Sequence, residues 1–296
     1  MNPNIRGGMG SKLFDFFNYA FLGILALCCL LPIVHVLALS LSDAASAGGN
    51  LVTFWPKGFN VSAYRLVFGN PVFLNSFLIS VARTALGCAI SLLMTVLAAY
   101  PLSKDERELR GRNAIRWIFI VPMLINGGLV PGFILIRNLR LMNTIWALVL
   151  PGSVPIFYII MMMNFFRGIN KSILESAAMD GANEAVVLAR IALPLSMASI
   201  ATITLFTIVN HWNSWFDGLI FTTGREMWPL QTLLMQMMKS VDTTAFSSGD
   251  ITLLNKLSDR SFRAAQIIFA TVPILCVYPF MQRYFISGMT IGAVKE

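Results

Sequence analysis

The chain has 296 residues, 56% of them apolar and only 12% charged, with a mean hydropathy of +0.71. A soluble domain carries roughly 25% charged residues, so an ordinary soluble enzyme is excluded. The formal charge of +8 arrives in short bursts between apolar runs, not in a stripe on a soluble domain, and no nucleic-acid partner is expected.

A helix needs about 20 mostly apolar residues to cross a hydrocarbon core of roughly 30 Å. Six stretches satisfy this, near 16–40, 75–101, 114–136, 146–166, 197–221 and 264–286. They are continuous runs of Leu, Ile, Val, Phe and Ala, whereas a barrel shows short segments of alternating polarity. The expectation is an all-α polytopic membrane protein with six transmembrane helices in one domain over 1–296.

The first run follows Arg6 and Lys12 and ends near Ala45-Ser46-Ala47, like a signal peptide. From Phe16 to Leu39 it exceeds the apolar core of such a peptide, so it is read as a retained span. His35, near its end, is expected to make a local hydrogen bond. The segment 42–72 is rich in Gly, Ser, Asn and Pro and reads as a loop with a short helix near Ala63–Phe68. In the second span Arg83 lies either about ten residues deep from Asn75 or, if the span starts near Thr84, at the outer interface with a snorkelling side chain; the interface is favoured, because an unpaired buried charge is costly. Asn126-Gly127-Gly128, with Pro122 and Pro131, weakens or breaks the third span. Such a break exposes backbone groups to a substrate or simply allows close helix packing. Trp228–Lys239 is apolar but too short to cross, and is expected along the outer surface or against a partner.

Lys and Arg collect in cytoplasmic loops. Counting short loops only, twelve fall on the side of the N-terminus, among them Lys104, Arg107, Arg110, Arg112, Arg116, Arg167, Lys171 and Arg190. Four fall opposite: Lys57, Arg65, Arg137 and Arg140. Both termini are therefore expected in the cytoplasm.

Between the fourth and fifth spans lies a loop over about 167–196 with helix formers on both sides of Gly181. It reads as helix, turn, helix: Gly181 takes a positive φ at little cost, Asn183 caps the second helix, and Pro194 separates the element from the fifth span. The elbow presents small residues, Ala177, Ala178 and Ala182, and the carboxylates Glu175, Asp180 and Glu184. These suit close approach by another protein bearing Arg or Lys; a merely solvated helix face is the alternative.

The spacing Glu175-Ser176-Ala177, three residues, Gly181, nine residues, Ile191, one residue, Leu193-Pro194 resembles the EAA signature of ABC importer permeases. Ser176 stands where the usual form has Ala. Asn75-Ser76-Phe77, Ala98-Ala99-Tyr100, Leu141 through Ala147, Trp212-Asn213 and the ending Gln282 through Lys295 also match. The likeness is to the maltose-permease-like, carbohydrate-importing branch, close to its oligosaccharide and polysaccharide-fragment subgroup. The resemblance implies a bacterial inner-membrane subunit that pairs with a second related permease. Two ATP-binding cassette subunits sit beneath, and an extracytoplasmic solute-binding protein delivers a carbohydrate for alternating access. It assigns ATPase coupling to Glu175, Ser176, Ala177, Asp180, Gly181, Glu184, Ile191, Leu193 and Pro194.

The chain itself has no G-x-x-x-x-G-K-[ST] nucleotide cradle, no H-E-x-x-H and no clustered Cys or His, so no cofactor, metal or catalytic residue of its own is expected. Polar residues at membrane depth face a bundle interior or a wet cavity. On a continuous fifth helix, Thr204, Thr207, Asn210, His211, Ser214, Asp217 and Gly218 share one face. Trp212 and Trp215 flank it, and an indole can cover a pyranose ring. Thr207, Asn210, His211, Trp212, Ser214 and Trp215, with Asn126 and Asn213, form the expected substrate path, against the alternative of helix packing with Trp at the interface. Rival readings are a permease for a non-sugar solute, a proton- or sodium-coupled transporter, which needs buried carboxylate or His relays, and a receptor or scaffold, which explains neither the polar face nor the elbow.

Overall fold

The computed structural model describes residues 9–106, 108–125, 127–243 and 260–292, and every regular element among them is a helix. Two compact units divide the chain, Met1–Asn70 with Val241–Thr271, and Pro71–Ser240 with Val272–Glu296.

In the first unit, α1 (Met9–Ser40) runs unbroken for 32 residues, about 48 Å at 1.5 Å per residue. Large apolar side chains from Leu13 to Leu37 are exposed all round it, the pattern of a helix whose solvent is lipid. α2 (Ala44–Gly48) starts at Asp43, whose carboxylate accepts from the Ser46 N–H at 2.9 Å, and α3 (Ser62–Gly69) follows the connecting loop. That loop is tied down by polar groups at the end of α1. Ser42 Oγ donates to the Ala38 carbonyl and accepts from the Lys57 N–H. His35 Nδ1 donates to the Thr53 carbonyl at 2.7 Å. The His35 bond thus reaches 18 residues along the chain into the loop.

The second unit contains α4 (Pro71–Ser103), α5 (Arg112–Leu124), α6 (Leu129–Asn138), α7 (Ile145–Val149) and α8 (Ile156–Arg167). The elbow follows as α9 (Lys171–Met179), α10 (Glu184–Val187) and α11 (Leu193–Leu195), then α12 (Met197–Asn213), α13 (Phe216–Phe221) and α14 (Leu230–Thr243). α15 (Arg260–Gly292) contributes residues to both units.

α4 packs against α8 and α12 and is patterned inside out relative to a soluble helix. Ser76, Ser80, the adjacent Arg83 and Thr84, Gly87, Ser91 and Thr95, recurring about once per turn, lie on its buried face, while Leu78, Val81, Leu93 and Leu97 are exposed. With lipid outside, apolar side chains gain nothing by hiding from it. Small residues instead let neighbouring backbones approach. Gly87 is the tightest case: a Cβ there would lie 2.5 Å from the His211 ring of α12. One end of the bundle is filled by Ala99, Tyr100, Ile159, Met162, Phe166 and Ile203, with the Tyr100 and Phe166 rings edge to face at 5.7 Å.

Among the described residues three helices, within Ser11–Ser40, Pro71–Ser103 and Arg260–Gln282, are long and apolar enough to cross a membrane alone, and up to six segments are if each bent pair counts as one. The bends have identifiable causes. Between α5 and α6 the chain passes Gly128 at φ +84°; Asn126 lies outside the described residues. Between α7 and α8 the helix bends by 48° over Pro151 and Pro155, which lack N–H donors. The fifth hydrophobic stretch is not one helix: Ser214 is extended (φ −71°, ψ 124°) and separates α12 from α13. The stretch Trp228–Lys239 also has partners inside its own unit. Leu230, Leu233 and Leu234 of α14 are buried within the unit, and the Leu230 N–H donates to Ser80 Oγ of α4 at 2.7 Å. This short apolar helix, which cannot cross, is held within the chain by Ser80 of α4 and by the Trp215 carbonyl.

Candidate functional site

The elbow between α8 and α12 forms as its residues dictate. The Asn170 carboxamide accepts from the Ser172 N–H and starts α9. Gly181 takes φ +79°, and the N–H groups of Gly181 and Ala182 close on the Ala178 and Ala177 carbonyls at 3.0 Å, ending α9. The Asn183 carboxamide then accepts from the Val186 N–H at 2.9 Å to start α10.

Pro194 does not make the break expected of it. The turn over Leu188–Ala192 widens to a π-helix in which the Leu193 N–H reaches the Leu188 carbonyl. That extra width accommodates a proline ring that would crowd the Arg190 carbonyl in an α-turn. The chain turns two residues later, at Ser196, where Glu184–Leu195 and Met197–Asn213 meet at 80°.

Along the elbow Glu175, Ser176, Asp180, Gly181 and Pro194 are exposed, Ala177 is buried and Ile191 and Leu193 are half-buried. Met179 at the tip is 88% exposed and Ile173 43%, so carboxylates and apolar side chains are offered together. Glu184 is committed elsewhere. Its carboxylate accepts from Tyr100 Oη at 2.6 Å and pairs with Lys104 Nζ at 2.9 Å. Lys171 pairs with Asp105 at 2.6 Å. The elbow is thereby strapped to the end of α4 and the turn after it.

A second site lies along α12, a cavity of about 210 Å³ lined by Arg83, Ser91, Tyr158, Thr207, Asn210, His211, Ser214 and Asp217, among others. Asn210 Nδ2 donates to Tyr158 Oη at 3.0 Å; Thr207 Oγ1 is spent on the Ile203 carbonyl of its own helix. The helix does not continue through Ser214, yet Thr207, Asn210, His211, Ser214 and Asp217 still line one cavity. Thr204 and Gly218 do not.

Arg83 requires the larger correction. It is 3% exposed, not snorkelling, and forms an ion pair with Asp217 through Nη2. Its Nη1 donates to Asp217 Oδ1 at 3.2 Å and to the Ser214 carbonyl at 3.0 Å. Asp217 Oδ1 also accepts from Ser214 Oγ and the Gly218 N–H. A buried guanidinium persists when a carboxylate and further acceptors surround it. Here they are supplied by the broken backbone between α12 and α13.

The remaining expected path residues are dispersed. Trp212 is buried edge to face on Phe77 at 5.9 Å, Trp215 packs edge-on against Phe216 and its carbonyl accepts from Thr232 Oγ1. Asn213 is exposed at the end of α12. Neither indole lines the cavity. Sequence reasoning missed Tyr100, Lys104 and Tyr158; their partners are 52 to 84 residues away in the chain and no local pattern announces them.

Residues 89–291 match the family described as the binding-protein-dependent transport system inner membrane component. The chain belongs to this family. It is 36% identical to the polygalacturonan/rhamnogalacturonan transport system permease protein YtcP of Bacillus subtilis, over 97% of this chain and all of that protein. It is 39% identical to protein LplC of the same organism, over 96% and 95% of the two chains. The structure resembles that of a bacterial ABC transporter involved in import of the acidic polysaccharide alginate, with a TM-score of 0.83 and 31% identity over 94% of this chain and 99% of that one. The chain is thus an inner-membrane, multi-pass permease of a sugar ABC importer, and both the elbow and the cavity lining fall within the matched residues except Arg83.

In this permease the strap has a pH signature. The Tyr100 hydroxyl first, then Lys104, hold the Glu184 carboxyl below its ordinary value of 4.5. A depressed carboxylate contributes stability that is full above that ordinary value and lost as pH falls through the lower folded value. Thermal melts in detergent should therefore show Glu184→Gln less stable than the wild type by a constant margin at neutral pH, the margin closing as pH drops below 4.5. A margin unchanged in acid would remove the charge from the strap.

Proposed function

We propose that this permease forms half of a sugar path and is opened and closed through its elbow by separate ATPase subunits on the cytoplasmic side. Glu175, Ser176, Ala177, Asp180 and Gly181 form the face that docks, Ile191, Leu193 and Pro194 form the hinge behind it, and Glu184 transmits by holding the elbow to α4. One observation carries the reading: an exposed helix-turn-helix tip is strapped at its base to the same helix whose Arg83 and Ser91 line the polar cavity. A partner that shifts the tip therefore shifts one wall of the cavity.

The partners that fit are a second related permease completing the path, two ATP-binding cassette subunits at the elbows and an extracytoplasmic binding protein. The chain contains no nucleotide cradle, in keeping with a transport subunit driven by others. The excess of Lys and Arg in the elbow and in the loop after α4 supports a cytoplasmic position for both termini. The cargo is a polysaccharide fragment, as the names of the relatives suggest, and Asn210, His211, Tyr158 and Ser214 offer the amide, imidazole and hydroxyl groups that bind sugar hydroxyls.

Two outcomes are expected of the importer assembled with its partners. Glu175→Lys, which reverses the charge offered at the tip, and Gly181→Pro, which cannot hold φ +79°, should each abolish uptake and the stimulation of ATP hydrolysis while cargo capture by the binding protein stays intact. Normal uptake in both variants would remove the docking role. Asn210→Ala with Ser214→Ala should change which oligosaccharides compete for uptake, with ATPase subunits still bound; an unaltered competition profile would assign that face to packing.

A further inference from the structure

Arg112 and Arg116 stand one turn apart at the start of α5, on one helix face, and α5 packs against α4 and α8. This brings them to Arg167, the last residue of α8, which lies in the field of both like charges. Three guanidinium groups gathered at one end of the bundle repel one another. Asp105, already paired with Lys171, offsets part of that repulsion at Arg112 and Arg167.

Among the described residues none of the three forms an ion pair. The nearby carboxylates are largely engaged by lysines or amides: Asp105 by Lys171, Glu184 by Lys104, with Glu108 also 3.7 Å from Lys104, and Glu106 by Asn113. Arg112 Nη1 donates to the Lys104 carbonyl and Arg167 Nη2 to the Leu102 carbonyl, contacts that aim the groups without neutralising them. Arg112 Nε, Arg116 Nε and Arg116 Nη2 are buried and have no hydrogen-bond partner. Arg112 and Arg167, with Lys104 and Lys171, also line a cleft of about 500 Å³ between the end of α4, the end of α8 and the elbow, a lining they share with Asp105, Glu108, Glu175 and Glu184.

Buried donors on clustered cations are costly unless an anion with several acceptor oxygens completes them. Their position at the ends of α4, α5 and α8, where apolar helix gives way to charged loop, is the depth of lipid headgroups. We propose that Arg112, Arg116 and Arg167 bind the phosphate of an anionic phospholipid, which seats beside the strapped base of the elbow. The inference rests on the cytoplasmic orientation and sugar-importer reading given above.

The test uses the whole importer, permeases with ATPase subunits, purified and placed in nanodiscs of phosphatidylcholine with or without phosphatidylglycerol or cardiolipin. Native mass spectrometry should find anionic lipid retained by the wild type. Retention should fall roughly tenfold in Arg116→Gln/Arg167→Gln and largely return in Arg116→Lys/Arg167→Lys, with ATPase subunits co-purifying in all three. Equal retention in the glutamine variant overturns the proposal. So does inorganic phosphate that displaces the lipid from the wild type and stabilises the phosphatidylcholine assembly equally well, because the ligand is then a free anion. Loss of the ATPase subunits in the glutamine variant also overturns it, placing the arginines in subunit docking.

Discussion

The buried face of α4 is the constraint on which the second unit depends. In lipid an apolar side chain gains little by being covered, so what a membrane helix must cover is its polar and small residues. On α4 these form one row, α8 and α12 pack against α4, and α14 donates to that row at Ser80. The same row places Arg83 and Ser91 at the cavity and Tyr100 at the elbow. From Arg83 to Tyr100 is about 25 Å of uninterrupted helix, a rigid connection that needs no relay of side chains between the two.

The breaks in the other helices lie where that rigidity ends. Pro151, Gly152 and Pro155 between α7 and α8, and Ser214 between α12 and α13, all line the cavity. Irregular backbone at membrane depth is tolerated where it is enclosed by protein or faces water, and here it is also used. The freed Ser214 carbonyl accepts from Arg83, and the Gly152 carbonyl from Ser91 Oγ at 3.4 Å. Asp217 both pairs with Arg83 and, through Oδ1, accepts from Ser214 Oγ and the Gly218 N–H at the start of α13. Cavity and break are therefore one construction.

The all-α membrane class and the elbow were legible because each rests on local chemistry. Long apolar runs exclude any other spanning structure, and Gly181 and Asn183 act within a few residues of themselves. The cavity was half legible. Counting polar residues on a helix found Thr207, Asn210 and His211 but assumed a helix continuing through Ser214, where nothing in the Asn213-Ser214-Trp215 triplet announces the break. Arg83 and Asp217 lie in different spans, 134 residues apart in the chain. One basic and one acidic residue at depth in two apolar spans is itself a pairing signal, because each is costly alone. Glu184 looked like its neighbours Glu175 and Asp180; only its distance to Tyr100 and Lys104 distinguishes an internal strut from a docking group.

The central claim is that a partner moves the elbow and that transport requires the movement. The most direct measurement places a cysteine at Met179, the most exposed apolar side chain of the tip, in a chain whose four cysteines are replaced by serine, and oxidises the assembled importer. The account predicts a disulfide to a cysteine introduced on an ATPase subunit, formed to different extents with and without ATP, with uptake blocked until the bond is reduced. A tip that cross-links to neither ATPase subunit at any nucleotide state, or an importer that runs normally while cross-linked, would contradict it.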